Sequence, residues 1–481
     1  MTLAIVIAGL LVMTLIGFVA RRRPAPNLSE WTVAGRHFGS VTLWFLQAGE
    51  IFTTFTFLGI AGLTVVGGVA ALYAVLFEGL GFLGLFFLAP RLWAYARDRG
   101  LLTQADFLES IYHNRLLGTV SALVTVLFTL PYLQIQLVGL GSIVQLVTGI
   151  PASRTVSIVV GGVLIVAFML WSGIRGIAYQ AYFKDVLLIL VMLILAAAIP
   201  IGLGGGIGNV FSQVQQVKPQ TLYIHGGPFD HVWFLTSLGV SAITVFFLAQ
   251  AGTYPVIYSA RSAQAARRNY IFLPLYFLIL VVPMTIGFTA LIVLQQPVAP
   301  DTTVLVLAAR SLPEWLLGVV GVAGCAAALV PSAHLLLTIS TAVARNVARV
   351  QPGRSQFLIN HITVIAATAA AVVISVIRPD LIALLALLSY AGGVQLVPAS
   401  AAALIPRTVW LRAESLTGGL IVGVGVVIGL TAENVNILNI NSGVIGLACN
   451  LVVVGLAEVV LRTLRPTPDK TRLVVASSSR T

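Results

Sequence analysis

Residues 40–66 read SVTLWFLQAGEIFTTFTFLGIAGLTVV, an apolar run of membrane-crossing length broken by Gln47-Ala48-Gly49-Glu50 and again by Thr53-Thr54. About 20 mostly apolar residues let a helix cross hydrocarbon. Glycine and polar groups inside such a run free backbone groups that lipid cannot satisfy, so they survive only where buried or lining a cavity. The same tripeptide recurs within residues 233–257, as Gln250-Ala251-Gly252 followed by Thr253-Tyr254-Pro255. Broken helices at corresponding positions of two halves point to a transporter's central site. If the two runs open five-helix repeats, the halves span roughly 40–203 and 233–404. The first run enters from inside and the second from outside, so the repeats are inverted. The competing explanation is coincidence, since the chain holds 45 glycines and alanine is abundant.

Composition sets the same frame. Of 481 residues, 58% are hydrophobic and only 9% charged, and the mean hydropathy is +1.02. Soluble domains carry about 25% charged residues. That argues against a soluble enzyme, a nucleic-acid binder or a disordered chain, and predicts an all-α polytopic protein in the lipid bilayer. Thirteen stretches reach crossing length, the first at 2–20 and the last at 442–463. The first is no signal peptide, because Arg21-Arg22-Arg23 follows the apolar run instead of preceding it. With the N-terminus outside, all but Arg154, Lys218, Arg310 and Arg378 of the 27 lysines and arginines fall on the cytoplasmic side. That asymmetry predicts an N-out, C-in orientation in the plasma membrane. It also accounts for the net charge of +12 without nucleic acid. Cys325 and Cys449 lie in apolar stretches and imply no disulfide framework.

The expected organisation is an extra helix and cytoplasmic linker over 1–37, then the first repeat with an outer loop over 38–232. The second repeat covers 233–406, two further helices 407–464, and a cytoplasmic tail 465–481.

Trp31, Ala34-Gly35-Arg36 and Phe38-Gly39 ahead of the first broken helix, with Gly59 and Gly62 after it, resemble the sodium:solute symporter family. The resemblance covers nearly the whole chain. It implies a ten-helix core of two inverted repeats, with one helix before it and two after. Gly173-Ile174-Arg175 running to Tyr182-Phe183-Lys184-Asp185, the stretch Pro131–Gly139, and Ala328-Leu329-Val330-Pro331-Ser332-Ala333 are similar to the bacterial monocarboxylate permease branch. That likeness implies uptake of acetate, propionate, pyruvate or lactate, with no cofactor.

The family's sodium site uses carbonyls of the first broken helix and of an alanine in the eighth core helix, completed by two hydroxyls. Carried over, the carbonyls fall at Gly49, Phe52 and Ala327, and the hydroxyl positions at Val330 and Pro331. Neither supplies a side-chain oxygen, and a hard cation needs several oxygens. Ser332 compensates only if the register shifts by one. The family's acidic residue at the start of the fifth core helix corresponds to Tyr182. Proton coupling is therefore expected, with sodium as the alternative ion.

Two ionisable residues are candidates for that proton. Glu50 sits in the first interruption, and a carboxylate at membrane depth is costly and by default functional. The structural alternative is that it accepts freed backbone N–H groups. His334 lies one turn after Pro331, and imidazole titrates near neutral pH. Its alternative is a packing role. Glu78 and the Glu458–Arg462 pair read as structural, and Asp185 beside Lys184 as an interfacial pair. No Lys or Arg is expected in the middle of any core span, so a carboxylate would be held by half-helix N-termini and polar side chains. The candidates are Gln47, Thr53, Thr54, Gln134, Gln136, Gln250, Thr253, Tyr254, Tyr390 and Gln395, with Trp44, Phe52 and Phe55 as an apolar wall. A lone membrane Gln or Thr otherwise serves helix–helix packing. A membrane enzyme is disfavoured by scattered acids and histidines without ligand spacing. A solute sensor signalling to a separate, unknown protein partner is the other rival.

Overall fold

The computed structural model describes residues 1–20, 25–150, 153–296, 298–377, 381–405 and 411–464. Arg21-Arg22-Arg23, Arg378 and the tail 465–481 lie outside these residues. Among the described residues regular structure is helical, with a single isolated parallel bridge, Phe38 to Ala260. Eleven helices are long and apolar enough to cross a membrane. One of them, Phe55–Arg99, has 45 residues, about twice what one crossing needs, and is interrupted at Gly68. His231–Phe246 is shorter, at 16 residues, because the chain breaks after it.

Position in the bundle follows from how evenly each helix is apolar. Glu314–Ala342 is buried almost continuously from Val320 to Ala342, as expected of a helix apolar all round. It is the central post. Thr2–Ala20 is its opposite, with Leu3, Ile7, Leu11 and Leu15 exposed and only Val6 and Met13 among its large side chains fully covered. An apolar surface of that kind faces lipid. Ser442–Leu464 is likewise peripheral, presenting Leu451, Leu456 and Val459 outward.

Both interruptions are real breaks in helical structure. The first helix runs Ser40–Ile51, passes through an extended Phe52 (φ −78°, ψ 91°), and resumes through a wide turn at Phe55–Gly59 into Ile60–Gly67. The second runs His231–Phe246, loosens over 247–252, and resumes as Thr253–Ser259. Asp230 caps the start of the second, its carboxylate accepting from Trp233 N at 2.8 Å.

The lead-in segment locks the two together. Ala34, Gly35 and Arg36 all have positive φ, which turns the chain so that Arg36 faces the end of the second broken helix. Its guanidinium donates to Tyr258 O (3.0 Å), Leu101 O (2.8 Å) and Ala96 O (3.3 Å). Phe38 N then donates to Ser259 O and Arg261 N to Phe38 O. Gly173 serves the same region. It breaks the helix Ser153–Gly202 with φ 55° and ψ −163°, a conformation essentially reserved for glycine. A Cβ there would sit 2.7 Å from Trp31 Cδ1. Two residues on, Arg175 donates to Glu30 (2.5 Å) and Ala34 O.

Candidate functional site: a small cavity between two broken helices

Unwinding at 52–54 leaves specific backbone groups to be satisfied. Thr53 N, which in a continuous helix would donate to Gly49 O, donates instead to Thr56 Oγ1 at 2.9 Å. Thr54 N turns to Gln136 Oε1 at 3.2 Å. Thr54 Oγ1 donates to Ile135 O and Gln136 Oε1, both at 3.0 Å, and Thr53 Oγ1 accepts from Phe55 N. Thr53, Thr54, Thr56 and Gln136 therefore stitch the break.

Glu50 takes no part in that stitching. Its Oε2 accepts from Gln47 Nε2 at 2.6 Å, and Gln47 Oε1 accepts from Tyr270 OH. Its Oε1 is buried with no hydrogen-bond partner. That oxygen abuts Gly252, where any Cβ would collide with it. Glycine at 252 is what permits the two breaks to touch. His334 Nε2 donates to Gly252 O at 2.8 Å, which fixes the neutral tautomer with its proton on Nε2, leaving Nδ1 unpartnered. His334 thus ties the central post to the second break.

A cavity of about 50 Å³ opens at this meeting point. One water-sized sphere needs roughly 10–15 Å³, so it suits a solute of a handful of heavy atoms. Its polar lining is Glu50, Thr125, Thr129, Tyr132, Thr244, Gln250, Ser389 and Tyr390, with Val124, Phe128, Leu335 and Leu396 apolar. Among the described residues no Lys or Arg lines it. Of the sequence candidates, Glu50, Gln250 and Tyr390 reach this wall. Gln47 supports Glu50 from one turn away. Gln134 is buried on Arg115–Thr148 outside the lining. Thr253 and Tyr254 are buried just beyond the break, with Tyr254 6.3 Å from the Phe107 ring. Gln395 donates to Ala391 O and Gly443 O and braces the last helix through Asn450. The expected apolar wall is elsewhere, because Trp44 and Phe52 both pack on Tyr276, at 5.2 and 3.8 Å, and Phe55 does not line the cavity.

Thr125, Thr129 and Tyr132 were missed from sequence. Their spacing of four and three residues puts them on one helix face, a stripe that was there to be read. Ser389 and Thr244 carried no such signal.

The inherited cation position departs most from expectation. Lys184 and Asp185 are not interfacial. Both side chains are 0% exposed and pair at 2.8 Å. Lys184 Nζ also donates to Phe52 O (2.7 Å) and Gly49 O (3.0 Å), with Ala48 O at 3.4 Å. The expectation of no basic group inside a core span is corrected accordingly. The helix begins at Gly173, so Lys184 lies about 16 Å along it rather than at its end. On the central post, Pro331 lacks an N–H, which leaves Ala327 O without its helical donor. Val330 is fully buried, and Ser332 Oγ donates to Ala328 O at 2.7 Å, so its hydroxyl proton is used within its own helix. Tyr182 OH donates to Thr42 Oγ1, and Glu78 is buried with Oε2 unpartnered. Glu458 pairs with Arg462 at 3.2 Å and accepts from Ser415. Among the described residues no cluster of three His, Cys, Asp or Glu side chains could hold a metal.

Comparison with known proteins agrees with this architecture. The chain is 32% identical over 474 residues to the uncharacterized symporter YhjB of Bacillus subtilis, covering 93% of this chain and 95% of that protein. A monocarboxylate transport permease protein of Rhizobium johnstonii is 28% identical over 436 residues, covering 88% and 87%. The structure of a Na+-coupled sialic acid symporter, substrate-bound and outward-open, superposes with a TM-score of 0.79 at 15% identity, covering 95% of this chain and 97% of that one. Mhp1, a nucleobase-cation-symport-1 family transporter, gives 0.59 at 14%, covering 93% and 98%. These neighbours are transporters and not enzymes, and they share the fold of this multi-pass membrane protein. The model of the sodium:solute symporter family matches residues 31–415, and this chain belongs to that family as a membrane symporter of small-molecule solutes.

Proposed function

We propose that the chain is a proton-coupled symporter of small monocarboxylates such as acetate, propionate, pyruvate or lactate. In this reading it crosses the plasma membrane thirteen times, N-terminus outside and C-terminus in the cytoplasm, and works by alternating access. The observation that carries the reading is Glu50: an unpartnered carboxylate oxygen on the wall of a cavity sized for a few heavy atoms, with no basic side chain lining it. A carboxylate solute entering that cavity would face Glu50 as a like charge unless one proton is present between them. Proton and solute then bind as a unit, which is the thermodynamic content of symport.

Gln250, Tyr390 and Tyr132 would orient the solute, with Phe128, Leu335 and Leu396 against its alkyl end. His334 acts by holding Gly252 against Glu50 and is the second candidate for the proton path. The two broken helices, stitched to one another, would move as the bundle that rocks against the remaining helices. The similarity to a monocarboxylate permease supports the solute class. The sodium-coupled neighbour keeps sodium symport of another organic solute as the second reading.

Uptake of labelled acetate, pyruvate and lactate into proteoliposomes tests this. An imposed pH gradient without sodium is compared with a sodium gradient at equal pH. Saturable, electrically reported accumulation driven by pH alone is expected; accumulation only under the sodium gradient refutes proton coupling.

A further inference from the structure

A symporter of this fold with carbonyl oxygens gathered at a helix break has the makings of a cation site, and here a side chain fills it. An ammonium group has three protons to donate. Lys184 donates them to Gly49 O, Phe52 O and, at longer range, Ala48 O, at 3.0, 2.7 and 3.4 Å, while its charge pairs with Asp185 Oδ1 at 2.8 Å. The break itself supplies the first of these, since Thr53 N is diverted to Thr56 and releases Gly49 O. Asp185 Oδ2, fully buried, has no hydrogen-bond partner and lies beside Gly49. Among the described residues Lys184 is the sole lysine or arginine that is buried. A basic side chain is brought to this depth only where fixed oxygens and a carboxylate compensate it.

We propose that Lys184 is a resident cation: its ammonium occupies the cation site built from the Gly49 and Phe52 carbonyls and Asp185, excludes free sodium, and makes the transporter sodium-independent. The same oxygens would hold a free monovalent cation once the side chain is shortened. Hard-cation contacts to oxygen are shorter, near 2.3–2.6 Å, so the carbonyls would close in by a few tenths of an ångström. The inference rests on the symporter reading but not on the identity of the solute.

The test is therefore a binding measurement without any solute. Melting temperatures of the detergent-purified protein are compared in 100 mM sodium chloride and 100 mM choline chloride. The wild type should melt equally in both. Lys184→Ser, which leaves Asp185 buried and unpaired, should melt lower in choline and regain on the order of a few degrees in sodium. Lys184→Met combined with Asp185→Asn, carrying neither charge, should show no sodium response.

A sodium-specific shift of the wild type overturns the assignment, and needs no variant to fold. A stable Lys184→Ser protein indifferent to sodium overturns it too, as does a sodium response of the double variant. Absence of carboxylate uptake with the sodium pattern intact would sink the solute reading alone.

Discussion

Glu50→Gln is the substitution that tests the coupling logic most directly. The amide keeps the shape of the carboxylate and an oxygen acceptor for Gln47, so the break and the cavity should persist. What changes is charge. Two unit negative charges about 4 Å apart at an effective dielectric of 20 repel by about 4 kcal/mol, close to three decades in a dissociation constant. In the wild type that penalty is absent with Glu50 protonated and present when it is ionised. Apparent affinity for a carboxylate should therefore fall up to tenfold per pH unit through the range where Glu50 ionises, to a ceiling of about a thousandfold. In Glu50→Gln the same affinity should be flat with pH. The assay is counterflow exchange of labelled pyruvate in proteoliposomes across pH, followed by uptake under an imposed pH gradient. Exchange should survive and gradient-driven accumulation should vanish. Wild-type accumulation in Glu50→Gln would refute the reasoning, as would an unchanged slope of affinity against pH.

Three further outcomes are expected. Gln250→Ala should raise the apparent KM roughly tenfold, the usual worth of one hydrogen bond to a charged ligand, without lowering the melting temperature; an unchanged KM would remove Gln250 from the solute's contacts. Gly173→Ala should lower stability by roughly 1–3 kcal/mol from backbone strain alone, read as a lower melting temperature in detergent, with further loss from the Trp31 contact. Asp301, in the short 3-10 turn Pro300–Thr302, accepts from Ile382 N at 3.1 Å, and burial, partly offset by that bond and by Arg154, pushes its carboxyl up from 3.8 to about 6. Since the folded state holds this proton more tightly than the unfolded one, stability falls as pH rises from about 4 to 6 and stays reduced above. Asp301→Asn should match the wild type near pH 4 and exceed it above pH 6 by at most about 3 kcal/mol; a difference constant with pH would disprove it.

The breaks were legible because hydrocarbon is intolerant: Gln, Gly, Glu and Thr inside a crossing run have to mean something, and Gln47-Ala48-Gly49 repeated at 250–252 says it twice. Glu50 was legible for the same reason. Lys184 was not. Next to Asp185, at the start of an apolar run, it counts as a loop cation until the helix is seen to begin at Gly173, and sequence alone gives no reason to carry a helix through Arg175. The polar residues split in the same way. Thr54 and Gln136 look like ligands when listed by type, yet an unwound backbone has its own donors to satisfy, and these side chains are consumed by it. The cavity wall drew instead on Thr125, Thr129 and Tyr132, from a helix whose hydroxyls resemble ordinary packing residues.

The clasp between the lead-in segment and the second broken helix has a consequence for timing. Phe38 bonds Ser259 and Arg261, and Arg36 bonds Tyr258, so three hydrogen bonds join the lead-in segment to one more than two hundred residues away, and Arg36 also bonds Leu101 and Ala96 nearer in sequence. At about 1 kcal/mol net each, parting those three costs roughly 3 kcal/mol, which holds the unclasped form to about one molecule in 150. A transporter that rests shut at one end leaks little when empty. Its pace would then be set by how far an occupied cavity tips that ratio, and weakening Arg36 would be expected to buy speed at the expense of tightness.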